Sequence, residues 1–403
     1  MIRHTRRVVA LLGPAFVAAV AYVDPGNFAA NFSAGSQYGY LLLWVLVVAN
    51  LMAMMVQYLS AKVGIVTGKS LPEVVAEKLP VWPRRMYWAQ AELVAISCDI
   101  AEIVGGAIAL NILFQLPLVI GGALTGVVSM ALLLVYQHPK KQYFERMIFT
   151  LLCIIPLGFI LGLFIAPPNP AELVGGLVPR FEGKETLLLA TAMLGATIMP
   201  HVVYLHSALA RDRHGKVKES LVKKYLKITR IDVGIAMLFA GSVNIAMLVL
   251  SASALQGLPG TDSLQGIYNA LSTHVSAVVA FLFAISLLIS GFASTSVGSQ
   301  AGAVIMQGLL QKRISLFMRR VITLVPALIV LAAGVDPTFA LIVSQIGLSF
   351  GVPFALIPLV MVTGSPRIMG QDVNQHWVSY TVAAIAAIVS VLNIALIWLT
   401  IVG

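Results

Sequence analysis

The sequence predicts an all-α polytopic membrane protein with eleven transmembrane helices. Three observations carry that expectation. Hydrophobic residues make up 59% of the 403 and charged ones only 10%, with a mean hydropathy of +0.94; an ordinary soluble domain is about a quarter charged. Apolar runs recur at the length of about 20 residues that spans a bilayer as a helix. Lys and Arg fall into short tracts between alternate runs, the placement expected of cytoplasmic loops. A soluble fold of this size could not hide so much apolar surface. The same composition excludes a disordered chain and a disulfide scaffold.

Breaks at Gly, Pro and charge clusters place the runs at Val8–Ala34, Leu41–Val63, Met86–Leu113, Leu118–Val135, Phe144–Ile165, Leu187–Ala210, Ile228–Leu250, Val275–Leu310, Val321–Ala333, Phe339–Val362 and Val378–Val402. The eighth is long enough to project from the membrane. The ninth is short and is expected to start nearer Leu316, taking in Arg319 and Arg320. With the N-terminus cytoplasmic, all but two of the 26 Lys and Arg lie on the cytoplasmic side, Arg180 and Lys184 being the exceptions. That asymmetry sets the orientation, and an odd number of spans places Gly403 outside. The net charge of +10 therefore reads as topology rather than nucleic-acid binding. The longest polar segment, Arg211–Arg230, reads as a basic cytoplasmic loop. Ala19-Val20-Ala21 resembles a signal-peptidase site but reads as part of the first helix. Cys98 and Cys153 lie in apolar runs and read as small buried hydrophobes.

Two runs are expected to break. The first carries Asp24-Pro25-Gly26-Asn27 at its centre. Pro removes a backbone donor and Gly loosens the chain, and an Asp at the bilayer centre costs about 2.5–3.5 kcal/mol. Irregular backbone survives at that depth only where it is buried or lines a cavity. The sixth run repeats the device at Ala196-Thr197-Ile198-Met199-Pro200-His201. An odd number of steps separates the two, so they cross in opposite directions, the pattern of an inverted-repeat transporter. The expected organisation is one transmembrane domain: residues 1–166 as the first five-helix repeat, 185–363 as the second, and 376–403 as an added eleventh helix.

The residues at the breaks suit a cation. Asp24 offers an anionic oxygen, Asn27 an amide oxygen, Ala21 and Ala196 carbonyls from unwound backbone, and Met199 a thioether. Sulfur contributes little to Mg²⁺ or Ca²⁺ but tolerates Mn²⁺, Fe²⁺ and softer ions. Taken singly, a Pro can be only a kink, and a Met or a His only packing. In the third run Glu92, Asp99 and Glu102 fall within about 80° of helical arc. They read either as a proton relay or as a static ion-pair network, with Arg213, Arg319 and Arg320 as candidate partners. His201 and His206 titrate near neutral pH, and His201 is the nearer to a break.

Asp24-Pro25-Gly26-Asn27 and Met199-Pro200-His201 resemble the paired signature motifs of the Nramp family of proton-coupled divalent metal transporters. Gly13-Pro14, Phe28-Ala29-Ala30-Asn31, the acidic third helix and the eleven-span layout extend the likeness. The resemblance implies a leucine-transporter-like 5+5 inverted repeat with helices 1 and 6 unwound at mid-membrane. It implies alternating access and import of Mn²⁺, with Fe²⁺, Cd²⁺ and Co²⁺, across a bacterial cytoplasmic membrane. It assigns the metal to Asp24, Asn27, Met199 and the carbonyls of Ala21 and Ala196, joined by Gln345. It associates protons with Asp24, His201, Glu102, Asp99, Glu92, Arg213, Arg319 and Arg320. The expected partners are the metal ion, the proton and the bilayer, with no cofactor and no obligate protein partner. A Na⁺-coupled solute symporter of the same fold fits less well, because Asp24 would repel a substrate carboxylate. A passive channel would not need two broken helices. An intramembrane enzyme lacks its motif, for no H-E-x-x-H is present.

Overall fold

The computed structural model describes residues 13–136, 150–215, 217–312 and 315–402. The predicted basic positions Arg3, Arg6, Arg7, Lys140, Lys141, Arg146, Lys216 and Arg313, and the starts of the first and fifth runs, lie outside the described residues. All regular structure among the described residues is helical.

The first run divides into α1 (Pro14–Ala21) and α2 (Pro25–Tyr38). Then come α3 (Leu43–Thr67), α4 (Leu71–Lys78), α5 (Val81–Phe114), α6 (Leu118–Tyr136), α7 (Pro156–Ile165) and α8 (Pro170–Gly175). The sixth run divides into α9 (Lys184–Ile198) and α10 (Pro200–His214). The remainder is α11 (Glu219–Leu255), α12 (Leu264–His274), α13 (Ala277–Leu310), α14 (Leu316–Ala332), α15 (Pro337–Thr363), α16 (Pro366–Met369), a 3-10 turn at Gly370–Asp372 and α17 (His376–Val402). Among the described residues seven helices are long and apolar enough to cross a membrane, the α9–α10 pair taken as one. At 34 residues, α13 is about 51 Å long, more than a bilayer core. Arg319 and Arg320 lie inside α14, which begins at Leu316.

One expectation about a loop is corrected. The segment Arg211–Arg230 is mostly helix: α10 runs to His214, α11 starts at Glu219, and the chain turns at Gly215 with φ 61°. The reason is an apolar stripe within the charge, for Val222 and Leu226 bury against Ala61, Ile65 and Ala210. The short helices α4 and α12 lie between the predicted runs. Each buries one stripe, Leu71, Val74 and Val75 in α4 and Leu264, Ile267 and Leu271 in α12.

The breaks sit at the centre of the bundle. α2 packs along α11, and α13 packs along α5. Four rings, Phe28, Phe32, Phe159 and Phe283, interlock with centroids 5.0–6.5 Å apart and fix α2 against α7 and α13. Close backbone approach positions the rest. A side chain at Gly195 would meet the Gln345 carbonyl oxygen at 2.1 Å, and one at Gly105 would meet Pro25 Cβ at 2.0 Å.

Candidate metal site at the two helix breaks

Proline acts at both breaks together with its neighbours, for Pro326, Pro353 and Pro358 lie inside continuous helices. Pro25 has no N–H, so the Ala21 carbonyl loses the donor a continuing helix would supply. The last turn of α1 closes instead with Tyr22 N–H to Ala19 O and Val23 N–H to Val20 O, the tighter bonding usual at helix ends. Asp24 is extended at φ −88° and ψ 166° and caps α2: its Oδ1 accepts from the Asn27 backbone N–H at 2.8 Å. The freed carbonyls of Tyr22 and Val23 accept from Asn244 Nδ2 at 2.8 Å and Ser290 Oγ at 2.5 Å.

Pro200 does the same to Ala196, four residues back. α9 stops at Met199, which sits at φ 37° and ψ 89°, a left-handed conformation uncommon outside glycine and frequent at functional sites. The Ala196 carbonyl accepts from Asn27 Nδ2 at 3.2 Å. One side chain thereby ties the first break to the second.

Asp24 is the hub. Its Oδ1 also accepts from Asn27 Nδ2 at 2.8 Å, and its Oδ2 accepts from Gln345 Nε2, on α15, at 3.1 Å. Gly26 makes the Gln345 approach possible, since a Cβ there would lie 1.7 Å from Nε2. Asp24, Asn27, Met199 and Gln345 are completely buried. Asn27 Oδ1 and Gln345 Oε1 have no hydrogen-bond partner. A buried amide oxygen without a donor costs roughly 1–3 kcal/mol, so two beside one carboxylate mark a place suited to a cation. Met199 at the second break carries a buried thioether. Among the described residues no group of three or more His, Cys, Asp or Glu could hold a metal, which sets this site apart from a tight structural metal centre.

The acidic row of α5 divides. Arg319 Nη1 donates to both Glu92 oxygens at 2.7 and 3.0 Å. Arg320, fully buried, donates from Nη1 to Asp99 Oδ1 at 2.7 Å and from Nε to Ser129 Oγ at 2.8 Å. Glu102 contacts a thiol: Cys98 Sγ lies 3.5 Å from Glu102 Oε1 and 3.4 Å from His201 Nε2. Cys98 is therefore more than a small hydrophobe, because it bridges the second break to the acidic row. Its position one helical turn before Glu102 was the available signal. Arg213 lies in the last turn of α10, while Arg319 and Arg320 hold Glu92 and Asp99. His206 Nδ1 meets Gln57 Oε1 at 2.8 Å, and Gln57 in turn donates to the Tyr22 hydroxyl.

Outside the membrane segments one acidic site is notable. Glu73 Oε2 accepts from the Ser70 backbone N–H at 2.6 Å, from Ser70 Oγ at 2.9 Å and from Arg211 Nη1 at 2.5 Å. Burial pushes the Glu73 carboxyl up, but the bonds from Ser70 and Arg211 outweigh it and hold the group below the usual carboxylate range.

Two broken helices tied together by one side chain beside a buried carboxylate fit a membrane transporter of leucine-transporter-like architecture, not an enzyme. More particularly, the chain belongs to the Nramp family: the family described as natural resistance-associated macrophage protein-like matches residues 15–399. The divalent metal cation transporter MntH of Mycobacterium tuberculosis is 54% identical over 394 residues, covering 98% of this chain and 92% of its own length. MntH of Bacillus subtilis is 44% identical over 399 residues, covering 98% and 93%. The crystal structure of the Eremococcus coleocola manganese transporter, in complex with an aromatic bis-isothiourea compound, superposes with a TM-score of 0.87 at 29% identity, covering 97% of this chain and 86% of that one. Inward-facing Mhp1, at 16% identity and a TM-score of 0.58, shares the fold.

Proposed function

We propose that this protein imports divalent transition metal ions, Mn²⁺ foremost and Fe²⁺, Cd²⁺ and Co²⁺ with it, together with protons, by alternating access across a bacterial cytoplasmic membrane. The proposed topology has eleven spans, a cytoplasmic N-terminus and an external C-terminus. Residues 1–166 and 185–363 are the two inverted repeats, and 376–403 the added helix.

The observation that carries this reading is the convergence of Asp24, Asn27, Gln345 and the Ala196 carbonyl at the breaks, with the two amide oxygens unpartnered. The Asn27 and Gln345 amides now present N–H to Asp24. A half-turn of each amide exchanges donor for acceptor, and the same side chains then present oxygen to an ion. The Ala21 carbonyl and Met199 sulfur complete the set, and the sulfur favours transition metals over Ca²⁺. A single carboxylate keeps binding weak enough for release. Asp24 holds the metal when ionised. His201, Cys98 and Glu102 form a chain leading from the site, and this chain with Asp99, Glu92, their arginines and Arg213 is the proposed proton path.

The test is Mn²⁺ uptake into proteoliposomes with and without an inward proton gradient, comparing the parent with Asp24→Ala. The parent accumulates Mn²⁺ faster with acid outside, and the variant falls to the rate of empty liposomes. Uptake by Asp24→Ala at the parent rate removes the proposed site. Uptake indifferent to the gradient at fixed voltage removes the coupling.

A further inference from the structure

We propose that a basic cavity at the lysine-rich end of the fold, lined by no residue of the metal site, binds a phosphate-bearing anion, with the headgroup of an anionic phospholipid as its source. The cavity, about 620 Å³, lies between the end of α3, the first third of α11 and the segment entering α17. Lys62, Lys223, Lys227 and Arg230 line it, opposed by one carboxylate, Asp372.

These cations are not merely a solvated loop. Lys62 is only 7% exposed and donates to Asn374 Oδ1 at 2.8 Å. Asn374 is itself fixed by its Nδ2 donating to Thr363 Oγ1 at 2.8 Å. Arg230 lies 5.0 Å from the Tyr58 ring centroid, with Nη2 3.5 Å from the Tyr58 hydroxyl. Lys223, Lys227 and Arg230 follow at i, i+4 and i+7, on one face of α11. Like charges at that spacing repel, and gathering four around a cavity is unfavourable until an anion enters. The fold holds two of them in place and so meets the ordering cost of an anion site in advance.

Depth selects the source. From Ile231, just past Arg230, α11 runs to Leu255, enough helix to cross the hydrocarbon core. Lys62 stands five residues before the end of α3. Trp377, exposed in the first turn of α17, lines the same cavity, as Trp does at headgroup level. Leu59, Leu226 and Val378 supply apolar wall beside the charge. Basic pockets between helix ends are where anionic headgroups bind.

The experiment uses the purified transporter in detergent. Retention of phosphatidylglycerol and of phosphatidylcholine is read by native mass spectrometry. Competition by inorganic phosphate against chloride separates lipid from free anion. Lys223→Gln/Lys227→Gln is compared with Lys218→Gln/Lys224→Gln, which removes the same charge from α11 and its entrance outside the cavity. The parent should retain phosphatidylglycerol over phosphatidylcholine. The cavity pair should weaken that retention roughly twenty-five-fold, at about fivefold per lysine, and the control pair should leave it nearly intact. Displacement by millimolar phosphate but not chloride supports the site and assigns it to free phosphate as well as lipid. Equal retention of both lipids with no effect of phosphate overturns the proposal, as does an equal loss in both double variants.

Discussion

Single residues decide how the two breaks meet. Gly26 is the clearest case, because the Gln345 amide occupies the space a Cβ would take. Gly26→Ala should push Gln345 off Asp24, withdraw its amide oxygen from the proposed site and raise the KM for Mn²⁺ roughly tenfold; an unchanged KM would remove Gln345 from the site. Met199 is testable by selectivity. Met199→Ala should erode discrimination against Ca²⁺ more than it lowers Mn²⁺ transport, and a variant that still excludes Ca²⁺ as the parent does would show that the thioether has no selective role. Arg320 is a third case. Its ion pair with Asp99 is sealed from solvent, and removing one member strands a buried charge at a cost of about 3–5 kcal/mol. Asp99→Ala should therefore lower the unfolding temperature in detergent more than Asp99→Leu combined with Arg320→Met.

At the scale of elements, the fold depends on where helices stop. α4 starts at a capping box in which Ser70 and Glu73 bond reciprocally, and its first N–H, from Leu71, is held by Ser207 Oγ of α10 at 2.8 Å. The Glu73–Arg211 contact is partly exposed and contributes little by itself; the cap contributes about 1 kcal/mol. Because the folded carboxyl of Glu73 is held below its unfolded value, its stabilisation is complete above the ordinary carboxylate pKa of about 4.3. It is lost as the pH falls through the lower folded value. Amide exchange across Leu71–Lys78 should accelerate over that acid window in the parent, and Glu73→Gln should show no such step. The α9–α15 contact is a second stopping rule. At Gly195→Ala the new Cβ meets the Gln345 carbonyl, so unfolding should be easier by about 1–3 kcal/mol.

At the scale of the molecule, the two broken helices join halves of the chain that are far apart in sequence. Asn27 bonds Ala196 across 169 residues, and Gln345 bonds Asp24 across 321. A divalent ion moving inward through such a centre gains about 4.6 kcal/mol per 100 mV. An inside-negative potential imposed on proteoliposomes should therefore speed Mn²⁺ uptake even without a proton gradient, and uptake independent of voltage would contradict net charge movement.

The sequence by itself determined the membrane class, the places where two helices break and the residues at those breaks. Each of these is local: hydropathy sets burial in lipid, and a proline strips the hydrogen bond from the carbonyl four residues before it whatever surrounds it. The sequence also carried the cap at Ser70 and Glu73, although the polar residues around it disguised a helix as a loop. Only the tertiary structure decided that Arg319 takes Glu92 while Arg320 takes Asp99, that Cys98 bridges His201 to Glu102, and that Lys62 turns inward to meet Asn374. Those pairings depend on which faces of distant helices meet. That is set by close approaches such as Gly195 on Gln345 and Gly105 on Pro25, and no periodicity within one helix encodes its neighbour.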